Sequence, residues 1–276
     1  MSAKTCFVSI DVEHDRGQGP ARIATPARMT RVSVSGGQSV AGGERKFSGV
    51  ENLEKILEIL KKHGIPATLF VTGQVLEKYS GLVKEWSKDF EIACHSFSHR
   101  FWNTLGLPER EKELIDYFAL YQKIFNVKPK GFRAPSHLID QAGIKLLEDQ
   151  GFLYDSSVVP HYPFFKKYRG FKGKAPLLPY QPSPDNYRQK GNMKILEIPI
   201  RGQVFGIPLA GAWIGPTPFW FYKTLFEIYC PDFLTINMHS WDKSEQFLKN
   251  LEKIFILLKS KNYQFLNGEQ IFENRQ

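Results

Sequence analysis

Apolar and polar positions along this chain switch repeatedly between a period of two and a period near 3.6, the mark of strands alternating with helices. Thr5-Cys6-Phe7-Val8-Ser9-Ile10 is apolar and β-prone and reads as a first strand. Residues 16–46 are rich in Gly, Ser, Ala, Thr and Arg without a clear period, which predicts a long loop. Ser48-Gly49-Val50-Glu51 has the form of a capping box. It would open a helix to about His63, with Leu53, Ile56, Leu57 and Leu60 at helical spacing. Gly64-Ile65-Pro66 stops that helix, and residues 67–71 (ATLFV) form a second strand. A helix over 74–88 leads to a third strand that ends at His95. Further helices are expected over 108–125, with Pro108 in the first turn, and over 141–150, capped by Asp140. Short strands follow near 153–155 and 195–198, then a helix over 218–228 and a strand over 233–238. Asp242-Lys243-Ser244-Glu245 caps a last long helix to about Lys259, and 263–266 is a final strand.

About eight short strands interleaved with helices, with no repeat and no dividing linker, predict one α/β domain built as a parallel (β/α) barrel. A flat doubly wound sheet is the structural alternative. No Gly-rich phosphate loop follows the first strand, which weakens a nucleotide-binding reading.

Composition narrows the class. At 276 residues with 42% hydrophobic and 14% aromatic content, the chain can bury a sizeable core and is not of disordered type. No apolar run approaches the ~18–20 residues of a membrane-spanning helix. The first residues enter a strand without the charged and apolar regions of a signal peptide. Three cysteines, Cys6, Cys94 and Cys230, cannot all pair within one chain, which suits a reducing compartment. A cytoplasmic location is the expectation.

Candidate chemistry lies at the ends of predicted strands. His95-Ser96-Phe97-Ser98-His99 places two imidazoles four residues apart, a spacing that puts both on one face of a helical turn. By itself such a pair is weak evidence for metal. The first strand runs into Asp11-Val12-Glu13-His14-Asp15, where alternation sends Asp11 and Glu13 to one side and turns His14 away. Gly131-Phe132-Arg133-Ala134-Pro135-Ser136-His137 ends another apolar segment with an arginine, and the late strand ends at His239. Strand C-termini are where α/β folds build active sites. Cys94 adjoins His95 but points to the opposite face and reads as a core thiol. His137 is either a pocket residue or an ordinary loop histidine, and His63 at a helix C-terminus needs no function.

The HSFSH, RAP and MHSW segments, in that order, resemble the polysaccharide deacetylases, the NodB-homology carbohydrate esterases, in the branch whose first motif reads D-x-E. The resemblance runs from Phe7 to about Asp242. It implies a distorted (β/α) barrel of about seven strands. It also implies a divalent metal, zinc above all, held by Glu13, His95 and His99. Asp11 would be the general base, Arg133 its holder and His239 the general acid. Asp155 would be the acidic partner of that histidine, ahead of Glu197, which also ends a strand, and of Asp242, whose place before a helix already explains an aspartate. The third metal ligand stays open among Asp11, Glu13 and Asp15.

The residue types suit amide hydrolysis without the family. A metal with one carboxylate and two imidazoles lowers the pKa of bound water from ~15.7 to about 7. A carboxylate beside an arginine stays ionised as base, and a histidine titrates near working pH. The expected function is removal of an N-acetyl group from a sugar or glycan precursor. Two alternatives stand beside it: a related C–N hydrolase acting on a small cyclic amide, and a non-catalytic carbohydrate-binding barrel. The joint presence of base, metal ligands and acid speaks against the second.

Charge adds one feature. Of the formal +9, residues 156–194 carry +7, eight Lys or Arg against Asp185, together with six prolines and many aromatics. This stretch reads either as a solvated loop or as a basic aromatic lid suited to a phosphate-bearing sugar. A peripheral contact with an anionic membrane surface is another use for it. Nucleic acid is a poorer partner, since no recognised module appears. Nothing in the sequence sets the oligomeric state.

Overall fold

The computed structural model describes residues 4–15, 46–160, 173–204 and 207–275. The long loop expected over 16–46 lies outside them except for Lys46, and so does the centre of the basic lid, with Lys166, Lys167 and Arg169.

The strands are β1 (Lys4–Val12), β2 (Thr68–Val71), β3 (Glu91–Cys94), β4 (Gly131–Phe132), β5 (Tyr154–Asp155), β6 (Leu196–Glu197), β7 (Gln203–Val204), β8 (Ile207–Pro208), β9 (Phe233–His239) and β10 (Tyr263–Leu266). The helices are α1 (Ser48–Glu51), α2 (Glu54–Lys62), α3 (Gly73–Lys78), α4 (Ser80–Trp86), α5 (Leu107–Phe125), α6 (Gln141–Asp149), α7 (Gly211–Ile214), α8 (Phe219–Ile228), α9 (Glu245–Ser260) and α10 (Gly268–Glu273).

Seven parallel strands, β9-β1-β2-β3-β4-β5-β6, form a curled wall, and an eighth, β10, joins only the first half of β1. After β6 the chain turns back toward β9: Thr235 donates its N–H to Arg201 O at 3.0 Å and its hydroxyl to Pro199 O at 2.8 Å. The wall thereby curls into a half-barrel carrying helices on its outside. β7 and β8 form a separate antiparallel hairpin.

Alternation along each strand separates core from lumen. On β1, Cys6, Val8, Ile10 and Val12 join the large apolar cluster under the helices, while Phe7 faces a smaller inner cluster. The other inner positions, Ser9 and Asp11, are polar and buried. β9 repeats this, with Leu234, Ile236 and Met238 outward and Phe233 inward, followed on the inner side by Thr235 and Asn237. The lower lumen is therefore apolar (Phe7, Phe70, Ala93, Tyr154, Phe233), and the upper lumen is lined by polar and titratable groups.

The floor is closed by α10. Asn267 caps it, Gly268 N–H donates to Thr68 Oγ1 at 2.9 Å and Glu269 N–H to Glu91 Oε2 at 3.1 Å. Glu91 in turn accepts from Tyr154 OH at 2.6 Å.

Local boundaries differ from the sequence reading in three places. The helix expected from Ser48 to His63 is two helices, and that over 74–88 is also two. Asp15 caps α1 in place of a box: its carboxylate accepts from Ser48 Oγ at 2.8 Å and Gly49 N–H at 2.8 Å. The cap of α9 is Ser244, which accepts from Phe247 N–H at 3.1 Å, and Asp242 is free for another task. Asp140 caps α6 as expected, accepting from Gly143 N–H at 2.8 Å.

Tyr154 fills the inner barrel so closely that a Cβ at Gly131 would lie 2.0 Å from its ring. Gly131→Ala should therefore destabilise the fold by about 1–3 kcal/mol through overpacking, read as a lower urea midpoint at unchanged slope.

Candidate metal and acid–base site

Asp11 sits at the inner top of β1, 2% exposed. Its Oδ1 accepts from Arg133 Nη1 at 2.8 Å. The same Nη1 lies 2.9 Å from Ser9 Oγ and 2.7 Å from Asn237 Oδ1. Arg133 Nε and Nη2 donate to Ser156 O and Ser156 Oγ, each at 2.8 Å. The guanidinium lies over the Phe70 ring at 4.0 Å and is fully buried. Burial alone would push the Asp11 carboxyl up; the Arg133 charge and nearby imidazoles outweigh it, so Asp11 stays ionised, well below the usual carboxylate range.

The two histidines converge, but not by helical spacing. Residues 95–99 form an irregular turn after β3, with Ser96 and His99 at φ of 63° and 60°, a left-handed conformation costly for residues with a Cβ. Glu113 on α5 holds this turn. Its Oε2 accepts from Phe97 N–H at 3.0 Å, Ser98 N–H at 2.7 Å and Ser96 Oγ at 2.8 Å, and its Oε1 from Ser98 Oγ at 2.6 Å. Sequence reasoning missed Glu113. The available signal was a carboxylate on the buried face of an otherwise amphipathic helix.

Glu13, His95 and His99 offer ligand atoms that all lie within 4.8 Å of one another, and all three side chains are buried. Glu13 Oε2 lies against His99 Nε2 and 3.9 Å from His95 Nε2. Among the described residues no other donor reaches that oxygen. His95 Nδ1 is 2.8 Å from the Arg133 carbonyl, which places its proton there and leaves the Nε2 lone pair facing Glu13. Burial, the largest influence, lowers the His95 pKa to about 4, so the ring is neutral at pH 7. For Glu13, the close contact with His99 outweighs burial and takes its pKa down to about 2. A carboxylate and a neutral imidazole lone pair aimed at one buried point fit a divalent cation. Among DVEHD, Glu13 is the residue in the group, since Asp11 is bound to Arg133 and Asp15 caps α1.

His239 closes the other side. Its Nε2 is 3.9 Å from Asp11 Oδ2, and its ring stacks on Trp241 with centroids 4.4 Å apart. The carboxylate beside it is Asp242: Oδ2 accepts the His239 backbone N–H at 2.8 Å and lies 3.6 Å from Nδ1. Burial would lower the His239 pKa, but the Asp242 contact, followed by the Asp11 charge, raises it to about 9. Asp155, expected in this role, is engaged elsewhere, accepting from Ser157 Oγ at 2.6 Å and Ser157 N–H at 3.1 Å. A Cβ at Gly211 would come within 1.6 Å of Asp242 Oδ2, so glycine there makes room for the carboxylate. His14 does not turn away, because β1 ends at Val12 and alternation lapses; its ring packs edge-on to His99 at 4.9 Å. His137, at φ 59°, is buried within electrostatic reach of Asp11.

With this geometry in view, known proteins can be compared. The polysaccharide deacetylase family model matches residues 45–154. Over that segment the chain is similar to the polysaccharide deacetylases. The segment holds His95, His99 and Arg133, whereas Asp11, Glu13 and His239 lie outside it. A peptidoglycan deacetylase-like protein of Gibberella zeae is 34% identical over 119 residues, 42% of this chain and 35% of that protein. The chain thus spans about a third of the length of the curated relatives it matches. Among solved structures, a polysaccharide deacetylase assigned as such in Mycobacterium smegmatis superposes with a TM-score of 0.66 at 18% identity, covering 99% of this chain and 90% of that one. PuuE allantoinase superposes with a TM-score of 0.67 at 18% identity, covering 98% and 89%. At such identities these likenesses establish the shared barrel alone.

Dialysis against a divalent cation followed by metal analysis tests the ligand set. Glu13→Gln, His95→Ala and His99→Ala should each lose the metal, whereas Asp11→Asn should retain it. Loss in Asp11→Asn with retention in Glu13→Gln would exchange the two roles.

Proposed function

We propose that this chain is a metal-dependent amidase that removes the N-acetyl group from a sugar or glycan precursor. One observation carries the reading: the Asp11 carboxylate, paired with a buried arginine, lies 3.9 Å from the His239 ring, beside a carboxylate and two imidazoles that fit a cation. Zinc is the metal of choice, because one carboxylate and two imidazoles is an established donor set for catalytic zinc. Such a cation supplies Lewis acidity, acidifying water and polarising the amide carbonyl.

The residues divide the proton work. Asp11, kept ionised by Arg133, takes the proton of the water that attacks the acetyl carbon. As the C–N bond breaks, His239 delivers its proton to the leaving nitrogen, and acetate and a free amine result. Asp242 keeps His239 protonated and oriented. Arg133 sustains both halves, through its side chain on Asp11 and its carbonyl on His95.

The relatives named for peptidoglycan deacetylation support an N-acetylated saccharide as substrate. A phosphate-bearing precursor handled in the cytoplasm, with an accessory anionic-membrane contact, stays part of the proposal; all three cysteines are free thiols, which favours a reducing compartment.

Amine release from a panel of N-acetyl sugars, with a cyclic amide as competitor, is the direct test. Activity on the cyclic amide alone would overturn the sugar reading. On an accepted substrate, Asp11→Asn and His239→Ala should each lose about 10²–10⁴-fold in kcat while keeping bound metal.

The pH profile tests Asp242. His239 acts in its protonated form, present below its pKa of about 9. Asp242→Asn removes what raises that pKa, so the alkaline limb of kcat/KM should move to lower pH. An unmoved limb would leave Asp242 without this role.

A further inference from the structure

Asp155 and Glu197 are direct register partners on β5 and β6, both fully buried, and the acid–base machinery uses neither. Among the described residues neither forms an ion pair. Their acceptor oxygens are instead turned on Ser157 and Val158, the second and third residues after β5. Asp155 takes the Ser157 hydroxyl at 2.6 Å and its N–H at 3.1 Å. Glu197 Oε1 takes Val158 N–H at 3.0 Å.

The other side of that same short segment holds the catalytic arginine. Ser156 accepts from Arg133 Nε and Nη2 through its carbonyl and hydroxyl. Ser157 Oγ, while donating to Asp155, accepts from Ala134 N–H at 2.8 Å. The RAP turn therefore hangs on residues 156–158, and residues 156–158 hang on two carboxyl groups. The other titratable groups facing the pair are Arg133 at the end of β4, and Tyr180, Tyr187 and Arg188 from the 173–195 segment.

The geometry points to Asp155 and Glu197 as positioning residues: a carboxyl pair that shares one proton, fixes Ser156 and Ser157, and through them sets the Arg133 guanidinium against Asp11. Two adjacent carboxylates without a counter-ion cannot both stay ionised in a dry interior. One proton turns their repulsion into a hydrogen bond and leaves enough acceptors for the three donors below Arg133. Burial acts the same way on both groups, lifting Asp155 to about 6 and Glu197, further raised by Asp155, well above the ordinary range. The Arg133 link to catalysis rests on the amidase reading, whereas the shared proton does not.

The proton has a thermodynamic signature. The folded pair keeps it above the pH at which an unfolded glutamate, pKa ~4.3, releases it. The folded state then binds more protons than the unfolded one, so the pair's contribution is full at low pH and is lost as pH rises toward the folded pKa. Glu197→Gln keeps a neutral hydrogen-bonding group and removes the proton. Melting curves of wild type and Glu197→Gln between pH 4 and 9 should therefore diverge, with the variant gaining relative to wild type as pH rises. An infrared band of a protonated carboxyl at pH 7 should be present in wild type and absent from Glu197→Gln. Parallel melting curves, or no such band, would overturn the shared proton.

The positioning role is read on an accepted substrate. Asp155→Ala should lower kcat at least about tenfold with KM and bound metal unchanged, and move the acid limb of kcat/KM upward as Arg133 loosens from Asp11. Glu197→Gln should restore the wild-type limb and most of kcat. An unmoved acid limb in folded Asp155→Ala would reduce the pair to a purely structural role. If wild type cleaved no amide at all, the amidase reading would fall, while melting and infrared would still decide the proton.

Discussion

The enclosed charge of Arg133 is the constraint around which the upper barrel is arranged. A guanidinium taken out of water must find an acceptor for each polar N–H direction, and leaving it unpaired costs several kcal/mol. It draws those acceptors from β1, from β9 and from the segment after β5, and lends its own carbonyl to His95 after β3. One residue thus ties four parts of the wall to a common point, three through its side chain and one through its carbonyl. Glu13 follows Asp11 by two residues, so fixing Asp11 also fixes where the candidate metal ligand emerges. A lysine, with a point charge instead of a planar fork, has no way to make these contacts together.

The rest of the site stands on irregular backbone, and carboxylates hold it there. Glu113 grips the turn of His95 to His99 from α5, Asp15 grips the start of α1, and Asp242 grips the main chain of His239. Glu113 and Asp15 each offer two oxygens to several N–H or hydroxyl donors, and Asp242 offers Oδ2 to one N–H. Charge follows from that arrangement. Asp11 beside Arg133 stays ionised, the enclosed His95 stays neutral, and His239, flanked by Asp11 and Asp242, holds its proton.

Much of this was readable because hydrophobic alternation encodes which side of a strand faces the lumen. That pattern put Asp11 on the inside, and strand ends named His95, Arg133 and His239. What escaped depended on contacts far apart in sequence or on turns that alternation does not describe. The convergence of His95 and His99 comes from two left-handed residues and Glu113, not from helical spacing. Asp242 looked like a helix cap because its neighbours have the right composition, yet Ser244 takes that place. Asp155 ended a strand beside the site but spends its oxygens on Ser157. His14 was placed by extending a strand past its last residue.

The first strand has another consequence. β1 finds its partners at β2, at β9 and at β10, pairing Lys4 with Tyr263 and Asp11 with His239. Contacts that span nearly the whole sequence form slowly, because the loop between them must be closed first. During vectorial synthesis, the segment bearing Asp11 and Glu13 leaves the ribosome before β9 and β10 and waits until they have been made. The intervening helices and β2 to β4 can assemble earlier from local contacts, with His239 still absent. The candidate site is therefore completed only once β9 has been made, and a nascent chain stalled before β9 would present the histidine pair without His239 opposite Asp11.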